Sequence, residues 1–473
     1  MTTHTGTATE LGTLPIRKLL TQYSIPGIIA MTAASLYNMI DSIYIGQGVG
    51  AMAISGLALT FPFMNLAAAF GSLVGVGAAT LISVRLGQKD YDTAQSILGN
   101  VVLLNVIIGL AFGFISLIFL DPILYFFGAS DSTIGYARDF MRVILLGNVI
   151  THMYLGLNGV LRASGHPKQA MIATINTVVF NAILAPIFIY GFKWGIEGAA
   201  LATVLSQAIS LLRQIHILSN KNELIHLQRG IYRFNRSIVT NIIAIGMSPF
   251  LMNLAACFIV ILINKGLKDY GGDYHIGAYG IVNRVGFFFV MIVMGLNQGM
   301  QPIAGYNFGA QLFDRVIRVL KLTIYSATCV TTAGFLIGEL CPHLVASAFT
   351  TDEQMIDLAA KAMRIMVLFY PIIGFQMVTT NFFQSLGMAK KSIFLSLTRQ
   401  LLFLLPCLLF LPPWLGVNGV WFSMPASDLL ASIVTAWLLW IQLKKFKKNA
   451  GGMRHRYLTR LHSSLSLFID NLL

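Results

Sequence analysis

The heptapeptide RASGHPK at residues 162–168 has a counterpart in the second half of the chain, QSLGMAK at residues 384–390. Gly165 and Lys168 of the first heptapeptide align with Gly387 and Lys390 of the second when the two are superimposed position by position. Similarity at a fixed spacing is the signature of an internal repeat. The pair of heptapeptides therefore predicts that the two halves of the chain are copies of one structural unit.

The same offset extends outward from the heptapeptides through both halves. The pairs that align at this offset include Gly77 with Gly299, Gly87 with Gly309, and Asp92 with Asp314. The segments GIEG at 195–198 and GVNG at 416–419, and the pair Pro26 and Pro249, align within one position of it. A nearly constant offset over a whole half is hard to obtain by chance, so we expect two structurally equivalent halves.

Composition places this repeat in a membrane. Of the 473 residues, 56% are hydrophobic and only 11% are charged, and the mean hydropathy is +0.74. Soluble domains contain about 25% charged residues, so a soluble protein of this length is excluded. The net charge of +14 does not indicate a nucleic-acid partner here, because Lys and Arg accumulate on the cytoplasmic loops of membrane proteins.

The apolar runs predict the fold class, an all-α integral membrane protein with about twelve transmembrane helices. A helix that spans a bilayer needs about 20 mostly apolar residues and satisfies its own backbone hydrogen bonds in lipid. The predicted spans lie near residues 19–41, 52–83, 94–118, 135–161, 168–190, 197–217, 238–264, 275–306, 314–338, 357–385, 391–411 and 417–442.

Six spans per half give two parallel, pseudo-symmetric lobes, and basic residues concentrate on the side that carries both termini, which is typical of the cytoplasm. We expect a monomer with a tail that either forms a helix on the membrane surface or frays. The predicted divisions are a cytoplasmic segment at 1–14, an N-lobe at 15–218, a cytoplasmic linker at 219–237, a C-lobe at 238–443 and a basic cytoplasmic tail at 444–473.

Several motifs resemble those of the multidrug and toxic compound extrusion (MATE) family, and within it the bacterial MepA-like branch. The resemblance covers about residues 14–443 and both repeats. It rests on YNMIDSIYIGQ at 37–47, LGQKDYDTA at 86–94, GLNGVLRASGHPK at 156–168, GIEGAALATVLSQ at 195–207, QPIAGYNFGAQ at 301–311 and NFFQSLGMAKKS at 381–392.

The resemblance implies a secondary antiporter in the cell inner membrane. Such proteins export amphipathic, cationic small molecules in exchange for H⁺ or Na⁺, and their two lobes alternate access around a central cavity. The sequence contains no phosphate-binding GxxxxGK[ST] loop, so we expect no dependence on ATP. We also expect no enzymatic activity, no metal and no cofactor other than the coupling ion.

Asp41 is the first candidate for ion coupling, because an ionisable residue within a span is costly and marks function by default. The alternative is that Asp41 lies at the water interface. The resemblance implies that Asp41, Asn181 and Thr203 form a cation or proton site in the N-lobe. Many relatives carry a second Asp four residues after this Asn, where the present chain has Ala185. A single carboxylate favours H⁺ over Na⁺.

Polar residues within the other spans are candidates for the substrate cavity, although intramembrane amides also join helices by hydrogen bonds. The candidates are Tyr37, Asn38, Asn158, Asn176, Asn283, Gln298, Gln301, Gln384 and Gln400. Arg284 and Arg399 must face the protein interior or extend to the interface. They either pair with Asp428, carry a structural network, or favour an anionic substrate.

Two other functions remain open from the sequence. A flippase of a lipid-linked or anionic substrate in the same superfamily would need a strongly cationic cavity, and the spans contain few basic residues. A membrane-embedded enzyme would need paired His or acidic residues at metal or acid–base spacing. His152, His166, His275 and His343 are isolated from one another in the sequence, which disfavours an enzyme.

Pro26 generates the first testable prediction. A proline within a helix removes a backbone hydrogen bond and favours a kink, and the resemblance implies that bending of the first span couples protonation to substrate release. We expect Pro26→Ala to lower drug transport in proteoliposomes driven by a pH gradient. Transport at the wild-type rate in this variant would exclude a hinge at Pro26.

Overall fold

The computed structural model describes residues 9–49, 51–127 and 129–470. It describes the backbone but not the side chains at residues 36–40, 42–43, 46, 51–52, 54–55, 58–59, 273 and 449–470. Across these described ranges the regular structure is entirely helical, with no strand.

The first half of the chain forms seven long helices, with short helical turns at Glu10–Thr13 and Leu120–Phe126. The seven are α1 (Ile16–Gly48), α2 (Ala51–Gly87), α3 (Tyr91–Ile118), α4 (Ile134–Leu146), α5 (Asn148–Ala163), α6 (Pro167–Pro186) and α7 (Gly195–Leu218). A π-helical turn, Ile187–Gly191, extends α6.

The second half repeats this order, with short turns at Pro342–Ser347 and Pro412–Leu415. Its helices are α8 (Arg236–Gly271), α9 (Asp273–Gly309), α10 (Phe313–Leu340), α11 (Glu353–Met366), α12 (Tyr370–Ser385), α13 (Ala389–Leu397), α14 (Leu405–Phe410) and α15 (Val417–Asp470). A π-helical segment, Thr398–Leu404, joins α13 to α14. The backbone of the predicted tail is helical as far as Asp470.

The long helices confirm an all-α membrane protein. Nine helical segments among the described residues are long and apolar enough to cross a bilayer, and two bent helix pairs raise the number to eleven. Helix α1 is not among the eleven, although its 33 residues exceed the length that a span needs. The count of twelve is therefore reached only with α1 included.

Two predicted spans differ from the single helices expected. Residues 135–161 are divided between α4 and α5, and residues 357–385 between α11 and α12, with a bend of 56° in each pair. The breaks fall near Gly147 in the first pair and at Val367–Phe369 in the second. The apolar pattern alone did not reveal the break near Gly147. Pro371, the second residue of α12, cannot donate to the carbonyl oxygen of Val367 and gives a local reason for the second break.

The backbone repeats at the offset found in the sequence. Helices α2 and α9 end at Gly87 and Gly309, and α6 and α13 begin at Pro167 and Ala389, which are aligned positions of the repeat. The turns also match, because Gly165 and Gly387 have φ angles of +96° and +72°. A glycine adopts this left-handed conformation at little cost, which explains why both heptapeptides place glycine at that point.

Contacts between the halves involve the first two helices of each. Helix α1 packs against α9, and α2 packs against α8, which are equivalent contacts under the repeat. Helices α2 and α9 also pack against each other. Their shared core contains buried apolar side chains from both halves, including Val74, Ile82, Ile242, Met300 and Ile303. We call these three helix contacts the inter-half seam.

Glycine allows the backbones to meet along the inter-half seam. A Cβ atom at Gly87 would lie 1.9 Å from the carbonyl oxygen of Tyr306, and one at Gly309 would lie 2.0 Å from that of Val84. The same holds at Gly77, where the carbonyl oxygen of Ile242 would be 2.0 Å away. No side chain fits at such distances. The glycines aligned in the sequence analysis therefore mark positions of close helix approach.

The seam gives a prediction with a matched control on the same helix. We expect Gly309→Ala to destabilise the protein by about 1–3 kcal/mol, because the added methyl group forces α2 and α9 apart. A Cβ atom at Gly280 meets no atom within 4 Å, so Gly280→Ala should be neutral or slightly stabilising. Thermal unfolding in detergent measures both, and equal melting temperatures for the two variants would contradict this account of the seam.

Candidate functional site

Three helices of the first half bring Asp41, Asn181 and Thr203 together. Helix α6 packs against both α1 and α7, and all three side chains are buried, with Asp41 only 6% exposed. The Asn181 side chain hydrogen-bonds to the Asp41 carboxyl group. Its Nδ2 also donates to Thr203 Oγ1 at 3.3 Å. We call these three residues the Asp41 cluster.

Two oxygen atoms of the Asp41 cluster are buried without a hydrogen-bond partner among the described residues. They are Asp41 Oδ1 and Asn181 Oδ1. Leaving a buried polar atom unpaired costs about 1–3 kcal/mol, and more for a charged group. The chemistry of these oxygens suits an added proton or a small cation, since either would satisfy an unpaired acceptor. The burial also places Asp41 inside the protein and not at its water-exposed surface.

The surroundings of the cluster limit its charge. Ala185 lies one helical turn after Asn181 and is fully buried. An apolar methyl group therefore occupies the position at which a second carboxylate would stand. No group of three or more His, Cys, Asp or Glu residues that could hold a metal occurs in the described part of the chain. Asp41 therefore contributes the negative charge of this cluster.

Other predicted cavity residues in the first half make contacts between neighbouring helices. Asn158 donates to the carbonyl oxygen of Ala170 at 3.1 Å and accepts a hydrogen bond from Arg162. Asn176, with its amide oriented to satisfy both its atoms, accepts from Arg213 at 3.1 Å. The bonds from Asn158 to Ala170 and from Arg213 to Asn176 each join two neighbouring helices.

The side chains of Tyr37 and Asn38, also predicted for the cavity, lie outside the described residues.

Two predicted glutamines of the second half lie on the inter-half seam. Gln301 Nε2 donates to Thr80 Oγ1 at 2.8 Å and contacts the carbonyl oxygen of Val76 at 3.3 Å. Gln298 Nε2 contacts the sulfur atom of Met31 at 2.8 Å. Both side chains therefore reach across to the first half, where any relative movement of the halves would change their contacts.

The remaining predicted residues fall into different environments of the second half. Asn283 and Arg284 are exposed on α9, Gln384 is buried on α12, and the Oε1 atom of Gln400 is buried without a partner among the described residues. These positions do not converge on the Asp41 cluster.

A charged pair lies within the second half. Arg399 Nε donates to Asp428 Oδ1 at 2.5 Å, and Asp428 is 2% exposed. Pairing with Asp428 was one of the three possibilities that the sequence left open for Arg399. Tyr279 and Tyr370, which both lie within range of the Arg399 charge, were not among the predicted site residues. Aromatic residues are so frequent in membrane spans that these two carried no distinguishing signal.

Comparison with a family model gives two matching blocks. The model, described as MatE, matches residues 26–187 and 242–409. Each block lies in one half of the chain, and the two end at equivalent positions of the repeat. Asp41 and Asn181 lie in the first block, Thr203 lies beyond it, and Arg399 lies in the second block.

Curated relatives match nearly the whole chain. The chain is 29% identical over 425 residues to multidrug export protein MepA of Staphylococcus haemolyticus, covering 90% of this chain and 93% of that protein. It is 26% identical over 427 residues to multidrug export protein MepA of Staphylococcus aureus strain MSSA476, covering 90% and 94%.

A solved structure shares the fold. The chain superposes with a TM-score of 0.89 on a crystal structure of MATE in the bent conformation, with 25% identity. The superposition covers 94% of this chain and 99% of that one. The fold thus matches along nearly the full length of the solved chain.

The hydrogen bonds of the cluster lead to a stability prediction. We expect Thr203→Val to lower the free energy of unfolding by about 1–3 kcal/mol, because a buried amide of Asn181 loses an acceptor. Thr323→Val on α10 is the control, since its hydroxyl donates to the carbonyl oxygen of Val319 in the same helix. Chemical unfolding in detergent gives both values, and an equal loss in the two variants would argue against the Asn181 contact.

Proposed function

The chain belongs to the MatE family of multidrug transporters, and from that premise we propose that it exports amphipathic organic cations in exchange for H⁺. It is a multi-pass membrane transporter and not an enzyme. The observation that carries the proposed ion coupling is the burial of Asp41 with Oδ1 unpaired among the described residues.

A proton on Asp41 fits the contacts of the cluster. Protonation converts one carboxyl oxygen into a donor, and Asn181 Oδ1 is a buried acceptor that lacks a partner among the described residues. Protonation also removes a negative charge from an apolar environment, which is favourable in itself. Loss of the proton then leaves a carboxylate that attracts a cationic substrate. One group thus alternates between proton and drug.

Coupling to Na⁺ is the weaker version of this proposal. A Na⁺ ion, like other hard cations, prefers several oxygen ligands, and anionic ones add most. The cluster offers one carboxylate, one amide and one hydroxyl, with Ala185 where a second carboxylate would stand. These three groups are few oxygen ligands for Na⁺, whereas a proton needs no further ligand. The chemistry of the cluster therefore favours H⁺.

Alternating access is supported by the position of the seam. The close contacts of Gly87 and Gly309 lie at the ends of α2 and α9, beside the turns that contain Lys89 and Gln311. We propose that this end faces the cytoplasm of the cell, because Arg17, Lys18 and Arg85 lie on the same side. Separation of the seam would open the protein inward. The two halves can take equivalent parts in this motion because the seam contacts follow the repeat.

Ion flux in proteoliposomes tests the proposed role of Asp41. We expect Asp41→Asn to abolish drug transport driven by an imposed pH gradient, because an amide side chain neither takes up nor releases a proton near neutral pH. The control is Ser206→Ala on α7, whose buried hydroxyl donates to the carbonyl oxygen of Ala202 in its own helix. This variant should transport at about the wild-type rate.

A parallel series with a Na⁺ gradient separates the two ions. Wild-type transport driven by the Na⁺ gradient but not by the pH gradient would overturn H⁺ coupling. Flux in Asp41→Asn equal to that of Ser206→Ala would remove Asp41 from the coupling role, whichever ion drives transport.

A further inference from the structure

Arg399 lies in the second half, near groups from three other helical elements. It belongs to the π-helical segment Thr398–Leu404, and its partner Asp428 lies on α15. Tyr279 of α9 and Tyr370 of α12 are within range of its charge. The π-helical segment packs against α15, and α12 packs against both α9 and α15. We call this region the Arg399 pocket.

The guanidinium group has donors that the protein does not use. Arginine carries five N–H donors, and the described contacts of Arg399 consist of the bond from Nε to Asp428 Oδ1. The four N–H groups on Nη1 and Nη2 therefore have no partner among the described residues. Asp428 is almost fully buried, whereas 32% of the Arg399 side chain is accessible. Arg399 thus combines a partly accessible side chain with N–H donors that no described residue accepts.

Lipid is a poor explanation for that accessible surface. Charged N–H groups in hydrocarbon are costly, and the two tyrosines and Asp428 show that the side chain points toward neighbouring helices. Tyr370 is itself held, because its hydroxyl donates to the carbonyl oxygen of Gly286 at 2.8 Å. The surroundings of Arg399 therefore include protein groups that are held in place by hydrogen bonds.

The helices around the pocket carry more polar atoms that are unpaired within the described part of the chain. On α12, Gln376 Oε1 and Thr379 Oγ1 are buried without a partner, and on α15 Ser432 Oγ is likewise unpaired. Gln400, next to Arg399, has an unpaired Oε1. Buried groups of this kind are normally satisfied by water or a ligand. They are an observation independent of the Arg399 geometry and also indicate a polar interior.

We propose that the Arg399 pocket binds the carboxylate group of amphipathic compounds that the protein carries. This inference rests on the proposed function as an exporter of amphipathic compounds and adds a recognition site for an acidic group in the second half. Asp41 in the first half would attract the amine of a zwitterionic compound. The two halves would thus recognise opposite charges.

The charge of the pair favours a singly charged anion over a doubly charged one. Asp428 already compensates one positive charge, so a doubly charged phosphate would leave the pocket strongly negative. A planar carboxylate matches the two parallel N–H bonds that a guanidinium presents on its free edge. Asp428 accepts the hydrogen bond from Arg399 Nε and so fixes the plane of the guanidinium group. The π-helical segment that carries Arg399 is a feature frequently found at functional sites.

Two dyes that differ only at the acidic group test the proposal. Rhodamine 110 carries a free carboxylic acid, and rhodamine 123 is its methyl ester. Binding to the purified full-length protein in detergent is measured by fluorescence polarisation at neutral pH, without any ion gradient. Because no gradient is involved, a failure of ion coupling in flux assays and a failure of acid recognition are distinguishable.

Arg399→Lys retains the positive charge but removes the fork of N–H donors. We expect this variant to bind rhodamine 110 about tenfold to a hundredfold more weakly, the range for lost hydrogen bonds to a charged group. Binding of rhodamine 123 should change by less than about threefold, because an ester offers no charge to the guanidinium.

A second variant keeps the test valid if Arg399→Lys fails to fold. Replacing a buried ion pair by apolar residues is often neutral or stabilising, so Arg399→Met with Asp428→Leu should fold and should show the same selective loss of rhodamine 110 binding. An equal loss for both dyes in either variant would overturn the proposal. So would unchanged binding of rhodamine 110, or a wild-type protein that does not bind rhodamine 110.

Discussion

The two halves of this protein are held together by direct contact between helix backbones. At Gly77, Gly87 and Gly309 a Cβ atom would lie about 2 Å from a carbonyl oxygen of the facing helix. In a membrane the hydrophobic effect does not drive helices together, so packing and close approach must hold the halves. Small residues along α2 and α9 provide that approach. Because the contacts obey the repeat, the proposed alternating access would involve the two halves equivalently.

The two halves have the same arrangement of helices but bury different polar groups. In the first half a lone carboxylate, Asp41, is buried with an amide and a hydroxyl. In the second half, the guanidinium group of Arg399 and the carboxylate of Asp428 form an ion pair between the π-helical segment and α15. A duplicated fold thus provides two polar interiors of different charge. We propose a mobile proton for the first, whereas the second holds a cation whose Nη donors have no partner among the described residues.

Much of the fold was predictable, because composition, apolar run length and the constant offset between repeated glycines are properties of the chain itself. The all-helical membrane class and the family were confirmed. The 56° breaks within two spans were not predicted. An apolar run has the same composition whether the helix is straight or bent, so the break near Gly147 could not be recognised from hydropathy. The break at Val367 lies four residues before Pro371, which cannot donate to its carbonyl oxygen. The divisions between lobes and tail, and the role of Asp41, remain predictions.

The sequence by itself determined the membrane class, the tandem repeat and the placement of Asp41 within an apolar span, since each follows from local polarity and spacing. The tertiary structure decided which polar groups meet. It gave Asn158 a role between helices, turned Gln301 across the inter-half seam, and joined Arg399 to Asp428 through Nε. The physical reason is helix rotation, because the direction in which a side chain points depends on the packing of whole helices and not on the residues beside it.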